Sequence, residues 1–186
     1  GKRSGVGSGN ETKDNNGISH FIEHMYFKGT KDKSAFEIVE YVDGIGAQIN
    51  AFTSKQTTCF YTLSIDTQAE NCAKILSEIL FESTFDESEM EREKGVVLEE
   101  ISMCEDDNSD VVLDLLAEGY FGKNPLGMTI LGERKNVKNF TRHDLLDYIS
   151  DNYCAESSVV SIVGNISFEK AKELCEKYFE GKFSCN

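Results

Sequence analysis

"NNGISHFIEHMYFKGT", residues 15–30, holds two of the chain's three histidines, His20 and His24, with Glu23 between them. Asn15, Asn16 and Gly17 are capping residues and Gly29 is a stop, so the stretch predicts a helix over about 17–28. At 100° per residue, His20, His24 and Phe27 share one face, with Glu23 about 60° to the side. Ile18, Ile22 and Met25 fill the opposite face, with Phe21 beside them. A helix apolar nearly all round is a buried helix. Its two imidazoles and its carboxylate are then desolvated, and they need partners. Two imidazoles at i and i+4 can reach one small ion, whereas a hydrogen-bonded polar cluster in a core is the competing reading. Glu23 completes H-x-x-E-H, which chance places in about 1% of chains this size or fewer. It is the inverted form of the zinc-protease motif.

A catalytic zinc site needs a third protein ligand and an open position for water. The remaining histidine, His143, lies in the charged helix start "TRHDLL" and reads as a surface residue. "EMEREKGVVLEEISM", residues 89–103, offers more. On a helical wheel Glu93 and Glu100 fall within about 20° of each other. They are flanked by Met90, Val97 and Ile101 and by Val96 and Met103, while Glu91, Arg92, Lys94, Leu98 and Glu99 point elsewhere. Acidic side chains are almost never buried unless paired or metal-bound. A tilted helix whose stripe meets solvent is the other explanation. Beside a two-histidine helix that lacks a third ligand, the metal reading is favoured.

The chain has 186 residues, 39% hydrophobic and 28% charged, enough for one substantial soluble domain. Its 33 acidic and 19 basic side chains give a formal charge of −14. Such a surface repels nucleic acid and anionic membrane, so neither is expected as a partner. No apolar run approaches the roughly 20 residues of a membrane span, and "GKRSGVGSGN" has no signal-peptide core. The expectation is a cytoplasmic protein, in a chain whose start without Met fits truncation or processing. The six cysteines show no C-x-x-C pair or disulfide framework and read as reduced thiols.

Residues 1–14 read as a loop or disordered N-terminus, and 15–186 as a single domain. "SAFEIVEYVDGIG" predicts a helix capped by Ser34, and "AQINAF" and "TTCFYTLSI" an antiparallel hairpin around "TSKQ". "TQAENCAKILSEILFES" is an amphipathic helix with Cys72, Ile75, Leu76, Ile79 and Leu80 inward. Helices are expected over about 86–103, in "VVLDLLAEGYF", in "TRHDLLDYISDNY" and in "SFEKAKELCEKYF", and a buried strand in "SVVSIVG". The pattern predicts an α+β fold, a two-layer sandwich of a mostly antiparallel sheet with packed helices.

Three stretches, "NNGISHFIEHMYFKGT", "GAQINAFTSKQTTCFY" and "EREKGVVLEEISM", together resemble the pitrilysin/insulinase family of zinc peptidases. The nearest branch is that of the processing-peptidase β-subunits. "NPLGMTILGERKNVKNFTRHDLLDYISDNY" and "SSVVSIVGNIS" follow the same pattern, so the resemblance covers about residues 8–186. It implies an inverted-zincin domain holding one Zn2+ through His20, His24 and Glu100. It also implies that Glu23 is the general base of an endopeptidase, and that Glu93 orients a ligand from behind. "INAFTS" resembles the family's substrate-binding edge strand, with Asn50 and Ala51 as its contacts to a polypeptide substrate.

Two departures stand beside the resemblance. Family members carry a second homologous half that closes over the first, and a strand hairpin before the "NNG" helix. The chain therefore looks like the N-terminal catalytic half of a two-half protein. Its expected partner is the missing C-terminal half or a partner subunit, and an open sheet edge favours self-association. Two other classes are open at this point. An S-ribosylhomocysteine lyase-like enzyme would take Cys104 as third ligand. A non-catalytic scaffold subunit would normally have lost zinc-site residues.

Overall fold

Local signals set most of the elements in the computed structural model, which describes residues 6–183. Helix α1 spans Ile18–Met25, α2 Ala35–Gly44, α3 Ala69–Glu82 and α4 Glu87–Asp106. Strands β1, Gln48–Thr53, and β2, Thr58–Leu63, lie between α2 and α3. Helices α5, Asn108–Phe121, α6, Arg134–Asn139, α7, Arg142–Asn152, and α8, Phe168–Tyr178, follow. Caps explain the starts. Ser34 accepts from the Glu37 amide while the Glu37 carboxylate accepts from the Ser34 amide, and Asp86 accepts from the Ser88 and Glu89 amides. The acidic break expected after Met103 is narrower than the composition suggests. Helix α4 runs on to Asp106, and Asp107 alone separates it from α5, whose Ser109 amide it accepts.

Helix α1 begins without a side-chain cap of its own. Gly17 precedes it at φ +96°, back to back with Gly132 at φ +82°. A Cβ on Gly17 would lie 2.6 Å from the Leu131 carbonyl, and one on Gly132 only 2.4 Å from the Asn16 carbonyl. Only glycine permits both the left-handed backbone and this approach. The capping role falls to Glu11, a buried carboxylate that accepts from the Gly17 and Ser19 amides and from Asn16 Nδ2. Burial raises the pKa of Glu11 in spite of these donors. The segment expected as a loop or disordered N-terminus is, over residues 6–14, held in place with a 3-10 turn at Ser8–Asn10, because orphan helix amides need an acceptor and this segment supplies it. Residues 1–5 of that expectation lie outside the described residues.

The main core joins Ile18, Phe21, Ile22 and Met25 of α1 to Met90, Val97 and Ile101 of α4, and to Val137, Phe140, Leu145 and Tyr148. A second cluster packs Ile38 and Val42 of α2 on Cys72, Ile75 and Ile79 of α3. Leu76 and Leu80 are partly buried on the same side of α3. The stripe expected on α4 is only half realised. Val96 and Met103 are exposed, and Leu98 packs against the core instead of pointing away. The helix is rolled so that one flank of its two carboxylates meets protein and the other meets solvent.

The sheet is smaller than predicted. β1 and β2 pair antiparallel from Gln48 opposite Leu63 to Thr53 opposite Thr58, and they form a two-stranded sheet among the described residues. "SVVSIVG", expected as a buried strand, forms none, and Val159 and Val163 are 72% and 94% exposed. Clefts of about 490 and 510 Å3 separate this segment from β2. A strand exists only through its ladder partner, and composition does not say whether the partner lies alongside. The molecule is a helix-rich α+β fold with one small antiparallel sheet. Cys59, Cys72, Cys104 and Cys175 are free thiols. Cys154 departs from the expectation of reduced thiols, being disulfide-bonded, and Cys185 lies outside the described residues. No helix among them is long and apolar enough to cross a membrane.

Candidate metal centre

Packing of α1 on α4 brings their polar stripes together. His20 is buried and His24 half-buried, one turn apart on α1. Glu93 is buried and Glu100 half-buried, two turns apart on α4. The His20 and His24 Nε2 atoms lie 3.2 Å apart, and Glu100 Oε2 is 3.6 Å from each of them. Ligands at the usual zinc distance of about 2.0–2.1 Å in a tetrahedron are separated by about 3.3 Å. The three side chains offer their donor atoms within 4.8 Å of one another, and they form the group among the described residues that could hold a metal ion. Two nitrogens and one carboxylate oxygen in a triangle of this size suit zinc. Cys104 is not among them.

Electrostatics favours the ligand forms. Burial, helped by the neighbouring His24, lowers the His20 pKa to about 4. The ring is then neutral at pH 7, as a metal ligand must be. Among the described residues its Nδ1 has no hydrogen-bond partner. His24 is better held, with its Nδ1 2.7 Å from Glu93 Oε1. A carboxylate can only accept, so Nδ1 carries the hydrogen and Nε2 turns its lone pair toward His20 and Glu100. Burial pushes the Glu93 carboxyl up. Hydrogen bonds from His24 and Lys28, with the Lys28 charge, outweigh it and hold the group below the usual carboxylate range.

Glu23 stands beside the cluster, half-buried on the same helix. Burial raises its pKa against the lowering effect of Thr53, whose hydroxyl donates to Glu23 Oε2. Thr53 ends β1, so the free edge of that strand runs toward the cluster. Along it Asn50 is exposed and Ala51 half-buried, and the Ala51 amide donates to Asn50 Oδ1 at 2.8 Å. His143 lies on the surface, as expected, 3.1 Å from Asp147.

The structure therefore gathers His20, His24, Glu23, Glu93 and Glu100, and it sets Asn50 and Ala51 along the strand that leads to them. Sequence reasoning missed three residues of this neighbourhood: Lys28, Thr53 and Glu11. Lys28 left a trace, a cation four residues beyond His24 on a buried helix. Thr53 and Glu11 left none, because their contacts join separate segments.

The chain is also similar to known proteins. The family model described as Insulinase (Peptidase family M16) matches residues 5–134, and the one described as Peptidase M16 inactive domain matches residues 139–182. The uncharacterized zinc protease YmxG of Bacillus subtilis is 47% identical over 175 residues, 94% of this chain and 42% of the relative. The probable mitochondrial-processing peptidase subunit beta of Schizosaccharomyces pombe is 40% identical over 174 residues, 94% of this chain and 38% of the relative. Among solved structures, a protease from Helicobacter pylori superposes with a TM-score of 0.86 at 26% identity, over 97% of this chain and 44% of that one. The chain spans about two fifths of the length of the curated relatives it matches.

Proposed function

The chain belongs to the insulinase family of peptidases, and from that premise we propose that it is the zinc-binding catalytic half of an endopeptidase. The observation that carries the proposal is the triangle of His20, His24 and Glu100, with the Glu23 carboxylate beside it. These three residues hold the ion, and Glu93 steadies His24 from behind. Zinc, when bound, supplies Lewis acidity, polarising a carbonyl and bringing water's pKa toward neutrality. Glu23 takes a proton from water on its carboxylate and hands it to the leaving amine. Its raised pKa suits both halves of that exchange. No side chain of the protein forms a covalent bond to the substrate.

The substrate is an extended polypeptide that adds to the free edge of β1, contacting Asn50 and Ala51 through backbone hydrogen bonds. The Asn50 side chain covers the Ala51 amide, so it turns aside as the peptide docks. Residues 15–186 act as one inverted-zincin peptidase domain, the N-terminal half of a two-half protein. Its partner is a second homologous half or subunit, consistent with relatives more than twice as long. The clefts beside β2 are where further strands complete a two-layer sandwich, and an uncovered sheet edge there drives self-association. The lyase-like alternative needs Cys104, which stands outside the ligand group. The scaffold alternative expects lost ligands, and all three are in place.

The test is metal content and cleavage together. The purified protein should bind about one zinc, and Glu100→Ala should lose most of it. Glu23→Gln should keep the zinc yet leave a peptide uncut by a preparation that otherwise cleaves it. Full zinc retention by Glu100→Ala would sink the ligand assignment, and normal cleavage by Glu23→Gln the assignment of the base.

A further inference from the structure

Behind His24 the buried carboxylate of Glu93 has two oxygens, and each has a partner among the described residues. Oε1 faces His24 Nδ1 at 2.7 Å, and Oε2 faces Lys28 Nζ at 2.6 Å. The Glu93 side chain is 5% exposed and that of Lys28 29%, so the pair is largely shielded from solvent. Lys28 follows α1 directly, in the turn where its own amide donates to the Met25 carbonyl. The same short segment therefore carries His24 and the cation that secures the carboxylate behind it.

The geometry points to Lys28 as a positioning residue of the metal centre: it anchors Glu93 so that the free oxygen fixes the ring of His24 with Nε2 facing the ion. This rests on the metal-binding reading proposed above. The physical reason is rotational. A carboxylate held at one oxygen only by an imidazole can turn about its last bond and carry the ring with it. A second, charge-assisted hydrogen bond on the other oxygen removes that freedom. A buried carboxylate with no cation beside it is also costly, and it would repack or draw in water, again moving the ring. The ion pair of Lys28 among the described residues is with Glu93, and its effect is carried through that carboxylate.

The experiment measures zinc affinity of the purified protein by competition with a chelating dye at neutral pH. It compares wild type with His20→Ala, Lys28→Met and Lys28→Arg. Lys28→Met should weaken zinc binding on the order of tenfold, as loss of an outer partner of a ligand does, and Lys28→Arg should recover most of it. A purely structural role would lower the melting temperature and leave affinity alone, so both are recorded. Imidazole 15N shifts of the metal-free proteins give a second readout. His24 should be the Nδ1–H tautomer in wild type and a mixture in Lys28→Met. If Lys28→Met does not fold, Lys28→Gln, which is one atom shorter and uncharged but keeps polarity, takes its place in both measurements. Affinity within twofold of wild type, or tighter, while His20→Ala abolishes binding, overturns the role of Lys28 and leaves the site standing. Wild type that binds no zinc, or His20→Ala that binds it normally, overturns the site itself and this inference with it.

Discussion

The α1–α4 interface and the β2 side of the hairpin are two opposite solutions within one chain. At the interface, charged side chains are buried and paired, as Glu93 is with His24 and Lys28, and the start of α1 follows the same rule, with buried Glu11 accepting from three amide donors. Beside β2, apolar side chains are left in solvent, among them Leu63, Ile65, Val159 and Val163. The first region is complete in itself, because helices satisfy their own backbones and need only side-chain packing to place a cluster. The second leaves backbone groups whose pairing a sheet would need. The proposed metal ligands are therefore gathered within the described residues, whereas the sheet among those residues has β1 and β2 only.

That contrast can be broken most forcefully at the glycine pair that seats α1. Gly132→Ala puts a Cβ against the Asn16 carbonyl at a left-handed backbone position. It should cost about 4 kcal/mol in denaturant unfolding and take zinc binding down with it. An alanine protein of wild-type stability would show that α1 is not held from its N-terminus.

Acid should come next. The His20 pKa of about 4 lies below the ordinary 6.5, so as pH falls the unfolded chain takes up the proton first. The metal-free protein should hold the full contribution above pH 6.5 and lose it as pH falls toward 4. The loss is about 3 kcal/mol, at 1.36 kcal/mol per unit. His20→Gln should flatten that window in urea titrations at a series of pH values. An unchanged slope would mean that the buried ring does not titrate there.

A smaller effect joins the two regions. Thr53 ends β1 and donates to Glu23, so Thr53→Val should leave zinc affinity unchanged. It should lower kcat about tenfold, the worth of one hydrogen bond to a charged group, and Thr53→Ser should restore it. A change in KM alone would place Thr53 in peptide binding instead. The smallest effect is expected on the open side. Val163→Lys, at a residue 94% exposed, should move stability by less than about 0.5 kcal/mol while reducing self-association in sedimentation. A large loss of stability would mean that the segment is already packed.

The helices were legible because their information is local: apolar period, cap and stop residues lie within each segment. Ser34 with Glu37 announced α2, and "TSKQ" between two β-rich runs announced the hairpin. "SVVSIVG" shows where this fails, since an apolar run states only that it can be covered. The roll of α4 fails for the same reason. A wheel ranks Val96 with Val97, and only the neighbouring helix decides that Val97 is buried and Val96 exposed.

By itself the sequence determined that two imidazoles and a carboxylate share one buried helix, and that Glu93 and Glu100 share a stripe of another. Both follow from the fixed turn of the α-helix, which converts spacing into direction. Which of the two carboxylates approaches both histidines was implied only by the family resemblance, and tertiary structure supplies its physical cause, the packing of α1 on α4. Tertiary structure alone brought Lys28 to the far oxygen of Glu93, Thr53 to Glu23, and Gly132 against Gly17. Those pairings depend on how packed elements are placed in space, and no periodicity within a segment carries that information.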